Sequence, residues 1–344
     1  MKGFLLLCLG ILLPWSAFAK RSSPPIHRFL VLSSASEGTV SFVKLDSFGD
    51  EHGLSTFNLL RSEDGLVSPR GVAVDAERGR LYVADSGLSK ILQYKAFVHG
   101  SDLLCDRIPT TVASGVSVRY IAVDHQGSLY FNAEGKNALQ YMTVEMMSAG
   151  EPPASLYAGA GAKVMAPRGL AHDSISLVWG NDQQDFSVVK APEKPENSGQ
   201  VKVLARTKEP VLGVAADGAH VYYTTARSPA ARPGFGGAIY AMKKDGGNPI
   251  RISTAVRKPT DIATDSQGNV FVADEERGRV VSFSGAVAAP VKGELPLVVR
   301  CPSVWGVAYT EMVEDISSQP RTSLITATAH AVSELISPHV EEEA

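Results

Sequence analysis

Cysteine is nearly missing: Cys8, Cys105 and Cys301 are the three in 344 residues. Cys8 falls in an N-terminal segment expected to be removed, so a disulfide-stapled scaffold and a cysteine-rich metal site are both excluded. Cys105 lies near a predicted outer strand and Cys301 just before an inner one. They are therefore expected as two separate, unpaired thiols. No Asn-x-Ser/Thr sequon occurs. Charge of one sign is also lacking: the net charge is −3 and the basic residues are scattered, which speaks against nucleic acid as a partner. The chain carries no Gly-x-Ser-x-Gly elbow, no phosphate-binding Walker loop and no His-x-x-x-His spacing. Its histidines fall at unrelated points, with only His172 inside an inner strand. Neither a catalytic constellation nor a metal or other cofactor is expected from these patterns.

Long apolar runs are confined to the N-terminus. Lys2, the apolar stretch Gly3–Trp15 and the small-x-small sequence Ala17-Phe18-Ala19 read as a signal peptide over residues 1–19. The apolar stretch is shorter than the roughly 20 residues that a membrane span needs, and no later stretch is apolar enough. A secreted protein without a membrane span is expected, with a short linker over 20–27.

What the chain has in quantity is a repeat. The sequence SPRGVAVDAERGRLYVADSGLSKILQY (Ser68–Tyr94) holds three short apolar runs separated by Asp- and Gly-rich turns, the pattern of strands joined by tight turns. Its first strand, PRGVAVD, returns as VRYIAVD (Val118–Asp124), PRGLAHD (Pro167–Asp173), VLGVAAD (Val211–Asp217), PTDIATD (Pro259–Asp265) and VWGVAYT (Val304–Thr310), at intervals of 44 to 49 residues. That is the spacing of four-stranded propeller blades. Second and third strands follow in each of the first five copies, as in LYVAD and KILQY. Arg28–Leu45 matches strands two and three without a first. Its inner strand is available from Val304–Thr310, so the two termini are expected to share a blade and close the ring. The predicted fold is all-β: a six-bladed β-propeller over 28–310, with an extension over 311–344 that has an acidic end.

Pro-Arg-Gly-Val-Ala-Val-Asp followed by Leu-Tyr-Val-Ala-Asp resembles the repeats of NHL and YWTD propellers and of the related gluconolactonase-like and TolB-like propellers. The resemblance spans about Arg28 to Thr310. It implies the fold directly and the function hardly at all, because such propellers include receptor modules, scaffolds and metal-dependent hydrolases.

Candidate site residues come from repeat positions that face the mouth of the ring. Arg70, Arg119 and Arg168 hold the second position of three consecutive inner strands, and Leu212, Thr260 and Trp305 hold it in the other three. Two readings are open: converging guanidiniums that take an anion, or repeat-consensus arginines that pair with blade carboxylates. Trp305 would add an apolar wall. Arg227, Arg232 and Phe235, in the long insertion Ala226–Gly237, would form a lid or a tolerated surface loop. Gluconolactonase-like enzymes place acidic and amide metal ligands at the inner-strand starts. Only Asp261 comes near that pattern, displaced by one residue. The recurring Asp75, Asp124, Asp173, Asp217 and Asp265 read as turn-formers. Asp85 and Asp274, at the ends of second strands, are expected to bond across adjacent blades. The functional expectation is a non-enzymatic propeller that binds a protein partner or a small anionic ligand. A lactonase-like hydrolase with an altered site is the alternative.

Overall fold

The computed structural model describes residues 24–46, 53–194, 200–226, 236–265, 267–285 and 290–315. The signal segment, Arg227, Arg232 and Phe235 of the lid loop, and the extension from residue 316 onward lie outside the described residues.

The repeat folds as six antiparallel blades, each with four strands running from the ring centre outward. Blade I is the shared one. Its inner strand Val304–Val313 pairs with Ile26–Ser34, followed outward by Thr39–Lys44 and Thr56–Leu60. The inner strands of blades II to VI are Pro69–Asp75, Ile121–Val123, Pro167–Asp173, Val211–Ala216 and Pro259–Thr264. Each packs on the next, and that of blade I lies between those of blades VI and II, which closes the ring.

Apolar side chains meet between blades. Phe29, Phe42, Val72, Leu81 and Tyr94 form one such layer across blades I and II. The second strands are therefore buried on both faces, as in Ser176–Asn181 and Arg80–Asp85, while outer strands such as Lys202–Arg206 keep one wet face. The aspartates behave as turn-formers: Asp75 accepts the Arg78 N–H at 3.1 Å and Asp217 those of Ala219 and His220. Gly79 supplies the left-handed φ of 60° that the first of these turns requires.

The inner strands crowd at their third residue. A Cβ on Gly71 would sit 2.6 Å from the Arg119 carbonyl oxygen, and Cβ atoms on Gly169, Gly213 and Gly306 would likewise strike the backbone of the next blade. Glycine is thus a packing requirement in four blades. Blades III and VI instead carry Tyr120 and Asp261 here, and both side chains border the central cavity.

Blade contacts alternate in pairs. In blades II, IV and VI the last residue of the second strand holds the chain that leads into its own blade. Asp85 accepts the N–H groups of Val67 and Ser68, Asn181 that of Met165, and Asp274 those of Arg257 and Lys258. In blades I, III and V the preceding residue, Ser33, Asn132 or Thr224, donates instead to the next blade's inner strand, at the carbonyls of Arg70, Pro167 and Pro259. At this level of the ring, bonding from second strand to the next blade's inner strand comes from these three residues. Asp85 and Asp274 act within their own blade because their carboxylates turn towards the incoming loop.

Three features depart from the plain repeat. Blade II gains a fifth strand, Asp102–Cys105, paired with an extended Lys90–His99. A short helix, Val144–Ala149, follows the third strand of blade III, capped by Thr143. Cys105 and Cys301 are both free, and burial pushes the Cys301 thiol up to about 11.

Candidate functional site

At the mouth, each second-position arginine meets the residue that follows its blade's second strand. Arg119 pairs with Glu134 at 2.5 Å, and Arg168 with Asp182 at 2.6 Å and more distantly with Glu134. Burial works against the Arg168 charge, but Tyr120, Asp182 and Glu134 outweigh it and raise its pKa. In blade II the corresponding residue is Ser86, which accepts Arg70 Nε at 2.9 Å. Arg70 therefore has no carboxylate partner among the described residues. Burial, and then the charge of nearby Arg119, pull its guanidinium below the usual arginine range. It lies over the Trp305 ring at 5.3 Å. The two readings of the arginine trio thus divide: Arg119 and Arg168 are neutralised within the blades, and Arg70 is not.

Trp305 and Thr260 are buried rather than presented at the mouth. Tyr120 explains this. Its side chain reaches across the ring, donates to the Thr260 carbonyl at 2.9 Å and packs its ring 4.9 Å from the Trp305 indole. Thr260 Oγ1 in turn donates to the Trp305 carbonyl at 2.7 Å. Tyr120, Trp305 and Thr260 form a plug between the arginine layer and the channel. Trp305 serves Arg70 as a floor.

Beyond the plug lies a cavity of about 210 Å³ lined by inner-strand residues, among them Gly71–Val74, Tyr120–Val123 and Val307–Tyr309. Asp261 lines this cavity, away from the mouth where the sequence grouped it with the arginines, because its carboxylate turns to the backbone of the next blade's inner strand. Burial raises its pKa to about 7, against the pull of the Val307 and Ile262 N–H groups. Asp261 Oδ2 accepts from Val307 at 3.1 Å. Proton exchange near neutral pH is the chemistry open to it.

On the face opposite the mouth, Asp124, His172 and Glu193 come together, with one ligand atom from each within 4.8 Å of the others. Among the described residues this is the group able to hold a cation. Sequence reading passed over it because its members hold non-equivalent repeat positions in two blades. The one signal was His172 inside an inner strand, where the other copies carry Val, Ala, Thr or Tyr. No helix among the described residues is long and apolar enough to cross a membrane.

Comparisons with known proteins agree on architecture. The NHL repeat family matches residues 257–283. No curated protein matches the chain. Among solved structures, a chain of a nidogen/laminin complex superposes with a TM-score of 0.59 at 15% identity, over 83% of this chain and 98% of the other. A gluconolactonase from Xanthomonas campestris gives 0.52 at 12% identity, over 83% and 90%. Hydrazine synthase of Kuenenia stuttgartiensis gives 0.51 at 16% identity, over 74% and 72%. At such identities the likeness is one of fold. With an NHL repeat matched in residues 257–283 and the same four-stranded plan in every blade, the chain is a six-bladed β-propeller that is similar to NHL repeats in its last blade.

Proposed function

We propose that this propeller is an exported binding module that takes a carboxylate, on a small organic acid or on an acidic side chain of a protein partner, at Arg70. The observation that carries the reading is the unequal neutralisation of the mouth. Arg119 and Arg168 have blade carboxylates, whereas Arg70 has a hydroxyl and an indole face. A guanidinium so placed keeps part of its donor fork for a bidentate partner, and the indole beneath limits its freedom. Export rests on residues 1–19 and is checked by N-terminal sequencing of the secreted protein, which is expected to begin at Lys20.

The second reading, a hydrolase with an altered site, draws on Asp261, a carboxyl poised near neutrality in the channel cavity. One thermal-shift series separates the two. The intact protein and the Arg70→Ala and Asp261→Ala variants are screened with small organic acids, an acidic peptide and calcium. Stabilisation by the acids or the peptide that disappears only in Arg70→Ala supports the binding reading, and the arm that responds tells small acid from protein partner. Calcium stabilisation that disappears only in Asp261→Ala overturns it in favour of the hydrolase.

A further inference from the structure

We infer that Asp124, His172 and Glu193 form a binding site for a divalent transition metal of the zinc type, at the seam between blades III and IV on the face opposite the mouth. His172 lies on the inner strand of blade IV, Glu193 follows that blade's third strand, and Asp124 follows the inner strand of blade III. His172 Nε2 is 2.9 Å from Glu193 Oε2. Four-coordinate zinc, with bonds of about 2.0–2.2 Å, spaces its ligand atoms roughly 3.3–3.6 Å apart. The close pair would open by about half an ångström, and contacts out to 4.8 Å would close by little more than an ångström through side-chain torsions of the three ligands.

The surroundings hold this geometry in place. Asp124 Oδ1 accepts the Ser128 N–H at 2.8 Å and Oδ2 accepts the Tyr130 hydroxyl at 3.1 Å. The Tyr130 ring also stacks on the His172 imidazole, with centroids 5.3 Å apart and planes 11° from parallel. One tyrosine thus orients two of the three ligands, the job that outer partners perform around protein-bound metals. The Glu193 backbone is tied to Ile175 at 3.1 Å.

Charge gives the second argument, and the repeat supplies its own controls. In blade II the aspartate equivalent to Asp124 is Asp75, which has Arg78 beside it. In blade IV it is Asp173, paired with Lys244 at 2.5 Å. Neither Asp124 nor Glu193 has a lysine or arginine partner among the described residues; their shared neighbour is one imidazole. Two carboxylates facing one imidazole, with no lysine or arginine partner among the described residues, concentrate negative charge at a partly buried seam, which a divalent cation would neutralise. One nitrogen and two oxygens suit zinc and its neighbours, whereas calcium and magnesium prefer all-oxygen sets. Glu193 is the most exposed of the three, so entry is from its side, and water would complete the coordination.

The test uses the untagged mature protein, stripped with a chelator and titrated calorimetrically with zinc, calcium and magnesium salts, with bound metal counted after dialysis. The expected result is one zinc per chain at micromolar or tighter Kd, with far weaker binding of calcium and magnesium. His172→Ala and Glu193→Gln should each weaken zinc at least about tenfold. Tyr130→Phe, which keeps the ring stack, should weaken it by a similar factor. Asp261→Asn should bind zinc as the parent does. Circular dichroism identifies any variant that fails to fold, and the milder Glu193→Gln and Tyr130→Phe then decide. Absence of saturable zinc binding overturns the inference. So does zinc affinity unchanged in Glu193→Gln and Tyr130→Phe, which would place the ion elsewhere, or an equal response to calcium.

Discussion

Asp261 occupies a position where four of six blades require glycine, and the energetic consequence is a dependence on pH. Its carboxyl titrates near 7 in the folded chain because burial penalises the anion. In the unfolded chain it titrates near 3.9. The folded state therefore binds the proton more tightly. Its stability contribution is complete below about pH 4, falls as pH rises, and is gone above about 7. A shift of this size corresponds to a few kcal/mol, on the order of 4. Asp261→Asn removes the titrating group while keeping an oxygen to accept from Val307. The variant should match or fall below the parent in Tm near pH 4–5 and exceed it by several degrees at pH 8. A Tm difference that stays flat from pH 4 to 8 would refute the buried-acid account.

At the scale of the element, the inner strand explains why some of the molecule could be read in advance and some could not. Short apolar runs between Asp- and Gly-rich turns disclosed the strands and the order of the blades, since each run must alternate its faces and each turn needs its own chemistry. The extra strand Asp102–Cys105 and the helix Val144–Ala149 stayed hidden because neither belongs to the repeat. Arg70 was legible as a repeat position. Its lack of a carboxylate partner was not, because that depends on Ser86 standing where blades III and IV have Glu134 and Asp182. Tyr120 and Asp261 stand where the other four copies carry glycine, but only the packed ring shows that the third position matters. That requirement is measurable. In Gly71→Ala the new methyl would lie 2.6 Å from the Arg119 carbonyl oxygen and 3.1 Å from the Ile121 nitrogen. Both are backbone atoms fixed by neighbouring strands. Overpacking of this kind should cost about 3 kcal/mol, a fall of roughly 5–10 °C in Tm. Gly218→Ala, at a turn with nothing within 4 Å, should change Tm by no more than about 2 °C. Equal effects at the two sites would show that the close approach of the inner strands does not govern stability.

For the whole molecule, the ring is held shut by one antiparallel pair drawn from opposite ends of the chain. Ile26–Ser34 pairs with Val304–Val313 from Ile26 opposite Val313 to Ser34 opposite Val304. The returning strand also anchors both flanks: its Val307 N–H reaches Asp261 in blade VI, the Trp305 carbonyl accepts from Thr260, and Gly306 lies against the Arg70 carbonyl in blade II. Removing it leaves a nine-residue strand with an unpaired edge and uncovers the apolar faces of two blades, a recipe for association between chains. A chain ending at Pro302 should therefore lose its cooperative thermal transition and elute as oligomers or aggregates in size-exclusion chromatography. A synthetic peptide of residues 303–315, added during refolding, should restore a monomer-sized species with a cooperative transition, because it supplies the missing inner strand without a covalent link. If the shortened chain alone remains monomeric and melts cooperatively within a few degrees of the intact protein, the shared blade is not what closes the ring. Rescue that persists when the Trp305 and Val307 positions of the peptide are alanine would show that backbone pairing suffices, and that the plug beneath Arg70 adds little to closure.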